Sequence, residues 1–253
     1  MPAIGDMTGK AVLVTGAGGG VGRSVALVLA GAGADVLLVD RDRLSLDSVA
    51  AEVGSLGRRA ETYLADLSQR SGCIAAVAAA VGAFGRLDGL CNIAGVFLPA
   101  HAETMAPESW DLTLAVNLSA PFHLIQAAIP HLRETKGAVV NVSSCAGIRA
   151  QAYSAAYCAS KAGLNHMTRA LAIEYVHSGI RFNAVAPGGM MTSMTRNLQF
   201  PAEVDRTLFG RVSPLRGLVE VEEVAEMVAF LVSDASKSYH GACISIDNGI
   251  TAD

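Results

Sequence analysis

The chain is poor in the features that mark several common classes of protein. Its five cysteines, Cys73, Cys91, Cys145, Cys158 and Cys243, are odd in number, scattered and never in a C-x-x-C pair. Its six histidines form no H-x-x-x-H or similar cluster. Neither a disulfide framework nor a metal site is expected, and the cysteines read as reduced packing residues. Only 17% of the residues are charged, the formal net charge is −4, and no basic stripe appears, which argues against a nucleic-acid partner. Uncharged stretches such as 71–85 fall short of a membrane span, so no membrane partner is expected. The opening MPAIGDMTGK lacks the charged-then-apolar pattern of a signal peptide, and a cytoplasmic location is the expectation. No internal repeat, low-complexity linker or shift of composition divides the chain.

What is present is apolar and small. Hydrophobic residues make up 51% of the 253, aromatics only 5%, and there are 26 glycines. This composition suits one domain, 1–253, with helices packed closely on a sheet. Seven apolar runs read as strands, at 11–16, 35–40, 59–66, 87–95, 138–144, 181–187 and 243–247. Ala-rich helical segments fit 21–32, 43–56, 70–83, 108–134, 152–177 and 220–233. The alternation predicts an α/β fold, a doubly wound three-layer sandwich with a seven-stranded parallel sheet and helices on both faces. Residues 190–217 break this rhythm. Met190, Met191, Met194, Leu198, Phe200, Leu208, Phe209 and Val212 alternate there with a few charges, Arg211 among them, and with Pro201 and Pro214. The segment reads as a substrate lid over a cleft, suited to an apolar substrate body.

The stretch VLVTGAGGGVG sets glycines directly after the first predicted strand, spaced Gly16-x-x-x-Gly20-x-Gly22. Glycines there allow a sharp turn and let a pyrophosphate approach backbone N–H groups. Asp40 ends the second strand 18 residues after Gly22, where an acid can hydrogen-bond a ribose 2′-OH. In AYSAAYCASK, Tyr153, Tyr157 and Lys161 stand four apart and would share one face of a helix. A lysine ammonium at ~4 Å interacts with a phenolate by about 4 kcal/mol at an effective dielectric of about 20, enough to lower a phenol pKa by up to about three. Tyr153 lies roughly 12 Å from Lys161 along a helix axis, so the lysine selects Tyr157 as acid or base.

Together these motifs resemble the short-chain dehydrogenase/reductase family. TGAGGGVG matches its T-G-x-x-x-G-x-G, YCASK its Y-x-x-x-K, CNIAG its N-N-A-G with Ile93 in place of the second Asn, and PGGMMT its P-G-x-x-x-T. The resemblance implies a Rossmann-like fold and a catalytic set of Asn117, Ser144, Tyr157 and Lys161. Tyr157 would give or take the substrate proton, Lys161 lower its pKa, Ser144 hydrogen-bond the reacting oxygen, and Asn117 hold a relay water; Ser143 would only finish its strand. It further implies cofactor contacts from Gly16, Gly20, Val21, Gly22, Asp40, Asp66, Leu67, Asn92, Ala94, Gly95, Pro187, Gly188, Met190 and Thr192, with Tyr157 and Lys161. The expected activity is NAD-dependent hydride transfer to or from a secondary alcohol or ketone, in a homotetramer. Two alternatives stay open. One is an NADPH-dependent 3-oxoacyl-carrier-protein reductase, to which the overall pattern is similar. The other is a non-catalytic dinucleotide-binding scaffold.

Overall fold

Strand β1 (Ala11–Thr15) is buried along its whole length, and its side chains alternate between two layers. Val12 and Val14 join a cluster with Val25 and Leu29 of helix α1 (Gly20–Gly31) and Val228 and Leu231 near the C-terminus. Leu13 joins a second cluster on the opposite face with Val77, Leu124 and Leu132. A strand covered on both faces has no polar side to spare, which is why its sequence reads as a continuous apolar run. The computed structural model describes residues 4–212 and 214–252, the side chains of 210–212 excepted. Ser213 and the side chains of Arg211 and Val212, part of the 190–217 lid, lie outside the described residues, as do the terminal residues of the expected domain 1–253.

The remaining elements follow in alternation: β2 (Asp35–Asp40), α2 (Arg43–Ser55), β3 (Ala60–Leu64), α3 (Arg70–Phe84), β4 (Gly89–Asn92), α4 (Pro107–Leu114), α5 (Ala120–Thr135), β5 (Ala138–Val142), α6 (Ala155–Glu174), β6 (Arg181–Pro187), the short α7 (Ser193–Arg196), α8 (Val221–Val232) and β7 (Cys243–Ile246). The seven strands are all parallel, in the order β3-β2-β1-β4-β5-β6-β7. Strand order reverses between β1 and β4, and that switch point opens a crevice at the C-terminal strand ends. The expected doubly wound sandwich is the observed fold.

Three sequence expectations need correction. Strand β4 is only Gly89–Asn92, because the chain leaves the sheet at Ile93 to meet β1's turn. The helix expected at 152–177 begins at Ala155. Tyr153 precedes it with φ of +60°, so the helical stripe of Tyr153, Tyr157 and Lys161 does not exist. Finally, the run Pro107–Thr135 spans 29 residues with a mean hydropathy of 1.4 in its most apolar window, long and apolar enough to cross a membrane. It is longer than uncharged stretches such as 71–85, which fall short of a span. Ala120, Leu124, Ile125, Ala128 and Leu132 of this run pack into the second core layer against α3, which accounts for its apolar face.

The turn between β1 and α1 is set by contact rather than by composition. A Cβ on Gly22 would lie 2.0 Å from the Gly16 carbonyl oxygen, whereas one on Gly19 would meet nothing within 4 Å. Gly22→Ala should therefore destabilise the protein by about 1–3 kcal/mol in urea unfolding, and Gly19→Ala by no more than about 0.5 kcal/mol. Equal losses would show that the turn relaxes freely.

Candidate active site

Three chain segments meet at the switch point. The Thr15 hydroxyl accepts hydrogen bonds from the backbone N–H of Ile93 (2.9 Å) and of Ala94 (3.1 Å). A Cβ on Gly16, whose φ is +66°, would press on the Ala94 backbone at 2.9 Å. Gly20 has φ of +51°, and a Cβ on it would meet the Thr192 methyl at 3.5 Å. Thr192 caps α7 in a reciprocal pair with Thr195. Pro187 ends β6, and the Gly188 N–H donates to Ile246 (2.8 Å), which carries the chain to Met190 and Thr192 over the glycine turn. The turn, the β4 exit and the segment after β6 thus come together at the switch point with glycines at the close approaches, a glycine cradle of the kind that can receive a dinucleotide pyrophosphate.

The acid at the end of β2 sits beside this turn. Asp40 Oδ2 accepts from the Gly18 N–H at 3.0 Å, and Oδ1 from the Arg41 N–H at 2.7 Å. A Cβ on Gly18 would stand 3.0 Å from Asp40 Oδ2, so the absence of a side chain at Gly18 is what lets the carboxylate lie over the turn. Asp66 is exposed beyond β3; its hydrogen bonds with Ser68 and the nearby charge of Arg41 hold its carboxyl below the usual range. Leu67 and Val21 are buried among the core side chains. Asn92 is buried as well, and its amide donates to Asn141 Oδ1 at 2.8 Å, bridging β4 and β5 inside the sheet. Its own Oδ1 has no protein partner.

The polar residues lie one step further along the crevice. Lys161, on α6, is almost fully buried, and its ammonium donates to the Val142 carbonyl at 2.9 Å. Gly95 leaves room for it: a Cβ there would be 3.6 Å from Lys161 Nζ and 3.2 Å from Asn117 Oδ1. Ser143 does more than finish β5, because its hydroxyl donates to the Lys161 carbonyl at 3.1 Å and ties the strand to α6. The Ser144 hydroxyl accepts the Ala146 N–H at 3.1 Å, capping the turn Cys145–Gly147, and its presence acts to lower the Tyr157 phenol pKa. Phe97 packs its ring 4.5 Å from that of Tyr157.

Asn117 sits in a π-helical turn, Ala115–Ser119, that joins α4 to α5. The residue four positions on is Pro121, which has no N–H to offer the Asn117 carbonyl. Such turns recur at functional sites. Here it aims the Asn117 amide at the loop after β4, accepting from the Val96 N–H (2.8 Å) and donating to the Val96 carbonyl (2.9 Å). The same amide also reaches the Ser160 hydroxyl at 3.2 Å. Among the described residues no group of three or more His, Cys, Asp or Glu could hold a metal ion. All five cysteines are free, and burial pushes the Cys91 thiol up to about 12.

The Tyr157 pKa does not move in the direction expected from Lys161, which is not among the influences on the phenol in this structure. Desolvation pushes the Tyr157 phenol up to about 12, against the opposing pull of the Ser144 hydrogen bond, although one edge of the residue remains open to the cleft. The ammonium lies 5.7 Å from the Tyr157 ring centre and is turned to the Val142 carbonyl, so its charge is not aimed at the phenol oxygen. Burial instead acts on the lysine itself, bringing it down to about 8. Thr15, Gly18, Phe97 and Ser143 complete the site. Thr15 and Gly18 stand inside the glycine motif itself, but nothing in a linear pattern marks Phe97.

Lys161 has a consequence for stability. Its pKa falls on folding from 10.5 to about 8. Between those values the unfolded chain holds more protons, so stability contributed by this group rises with pH through the window and is lowest below pH ~8. Lys161→Met should therefore unfold at higher urea concentration than the parent at pH 7, by about 1–3 kcal/mol, with the gap closing toward pH 10. A variant less stable at pH 7, with no pH dependence in the difference, would contradict this account.

Known proteins agree with this geometry. A family model described as "Enoyl-(Acyl carrier protein) reductase" matches residues 16–251. The 3-oxoacyl-[acyl-carrier-protein] reductase of Thermotoga maritima is 37% identical over 245 residues, 96% of this chain and 98% of that protein. The cis-4-hydroxycyclohexanecarboxylate dehydrogenase of Sinomonas cyclohexanicum is also 37% identical over 245 residues, 96% of this chain and 97% of that one. A short chain dehydrogenase from Burkholderia cenocepacia, solved in complex with NADP, superposes with a TM-score of 0.88 at 34% identity, covering 97% of this chain and 99% of that one. With its glycine cradle and its Ser–Tyr–Lys set, the chain belongs to the short-chain dehydrogenase/reductase family and is an oxidoreductase acting on CH–OH groups with a nicotinamide cofactor.

Proposed function

We propose that the protein is an NAD-dependent oxidoreductase interconverting a secondary alcohol and a ketone on an apolar, ring-sized substrate. The observation that carries this reading is the buried Lys161, its ammonium on the Val142 carbonyl and 5.7 Å from the Tyr157 ring centre, set beside the glycine cradle. The bound nicotinamide supplies or accepts the hydride. A Tyr157 phenol raised to about 12 is neutral at physiological pH and ready to donate its proton to a ketone oxygen. The Ser144 hydroxyl hydrogen-bonds the same oxygen and holds it near Tyr157. In the reverse direction the phenol first passes its own proton along the relay beside Lys161, and the phenolate so formed takes the alcohol proton. The Asn117 amide is committed to Val96 and Ser160, so its main-chain carbonyl is the acceptor we assign to the relay water behind Lys161.

Asp40 supports NAD over NADP. Its carboxylate flanks the cradle, and a ribose 2′-phosphate there would add like charge at ~4 Å, costing about 4 kcal/mol at an effective dielectric of about 20. Arg41 beside it is exposed, and its charge is felt at Asp66. An apolar substrate body is supported by the aromatic lining: Phe97 against Tyr157, and Phe200 4.9 Å from Phe209. The Sinomonas relative, named for a cyclohexane substrate, points the same way. The carrier-protein reductase remains the second reading, favoured by the Thermotoga relative. A homotetramer fits the exposed alanines of α6, Ala155, Ala159, Ala162 and Ala170, which leave a flat helix face for close packing.

The decisive experiment follows NADH absorbance with cyclohexanol, sorbitol and a 3-hydroxyacyl thioester. Cyclohexanol should give the highest kcat/KM, with NAD⁺ preferred over NADP⁺ by at least about a hundredfold. Asp40→Ser should shrink that preference, and Tyr157→Phe should remove nearly all turnover while leaving NAD⁺ binding measurable. Sorbitol or the thioester as the better substrate would reject the apolar-ring reading, and equal use of the two cofactors would reject the role of Asp40. Light scattering at micromolar concentration should report four subunits; a monomer would refute the assembly.

A further inference from the structure

The residue that sequence spacing placed beside Tyr157 has a different job. Tyr153 is left outside α6, with φ of +60°, a conformation costly for an aromatic residue. Its carbonyl accepts the Ala100 N–H at 2.9 Å, which locks it to the loop after β4. Its hydroxyl accepts the Asp205 N–H at 2.7 Å. The neighbouring His101 ring packs edge-on against it at 4.9 Å and donates from Nε2 to the Ala202 carbonyl at 3.0 Å. Between those two attachment points stands Glu203, also at φ +60°. The Tyr153 ring further touches that of Phe209. Two strained residues facing each other across two hydrogen bonds are a contact held against local preference.

We propose that Tyr153, supported by His101, is a positioning residue: its hydroxyl holds segment 200–209 in place as one wall of the substrate site, with Phe209 against the Tyr153 ring. The proposal rests on the oxidoreductase reading above. It assigns Tyr153 no proton transfer. Its hydrogen bond fixes where an apolar substrate body can lie, so large substrates feel its loss and small ones do not.

Tyr153→Phe keeps both ring contacts and removes only the hydroxyl acceptor. Limited trypsin digestion, reading cleavage after exposed Arg206 relative to exposed Arg196, should show Arg206 cut at least about threefold faster in the variant. With NAD⁺, the KM for cyclohexanol should rise about fivefold, as expected for one lost hydrogen bond, while kcat stays within about twofold and the KM for propan-2-ol is unchanged. Equal cleavage of variant and parent overturns the proposal. So does faster cleavage with an unchanged cyclohexanol KM, or a fall confined to kcat. Should the parent protein oxidise no alcohol at all, the oxidoreductase reading fails, and the trypsin ratio alone decides the tether: faster cutting upholds it, equal cutting refutes it.

Discussion

At the first turn the chain packs backbone against backbone. Gly22 comes up under the Gly16 carbonyl, Gly16 backs onto Ala94, and the Thr15 hydroxyl receives the two N–H groups that begin the loop after β4. No side chain larger than hydrogen fits at either glycine. This contact brings the ends of β1 and β4 together at the point where strand order reverses. It therefore fixes the crevice from which every other site residue takes its place. Asp40 reaches over the turn because Gly18 lets it, and Lys161 reaches in because Gly95 leaves room.

Within that frame the site works against the solvent. Lys161 is stripped of water and held by one main-chain carbonyl, and Tyr157 is desolvated enough to keep its proton. Both effects disfavour charge, one on each partner. A cleft that keeps the phenol neutral and makes the ammonium easier to deprotonate is poised to respond to any further charge that enters it. The direction of proton flow is thus set by what the cleft holds rather than by the tyrosine–lysine pair alone.

Much of this was legible in the sequence, for physical reasons that differ by residue. Strands β1, β2, β4, β5 and β6 show because each is buried on both faces and reads as an apolar run, whereas the edge strands β3 and β7 hold no fully buried residue. The edge strand β3, with Glu61 and Leu64 exposed, is the least regular of them. The glycine turn shows because nothing else can occupy it. Tyr153 misled because spacing of four implies a helix only where the helix exists, and Ser154 begins it one residue too late. The tyrosine pKa misled because pairwise charge is visible in spacing, whereas burial and the direction of an ammonium are properties of the folded chain. Phe97 could not be found at all, since its contact with Tyr157 joins two loops with no shared motif.

The π turn at Ala115–Ser119 carries a geometric consequence for the whole of the long helical run. Relative to an uninterrupted α-helix, a π turn accommodates one extra residue, and each residue of an α-helix advances the face by about 100°. The two halves are therefore out of phase. A helical wheel drawn straight through Pro107–Thr135 would rotate the outward residues of one half, Trp110 and Leu112, by about that angle against Phe122 of the other. The run behaves as two short helices spliced with a phase slip. That slip lets α5 keep its apolar face on the body of the protein while α4 buries Thr113 and Asn117 is buried at the splice.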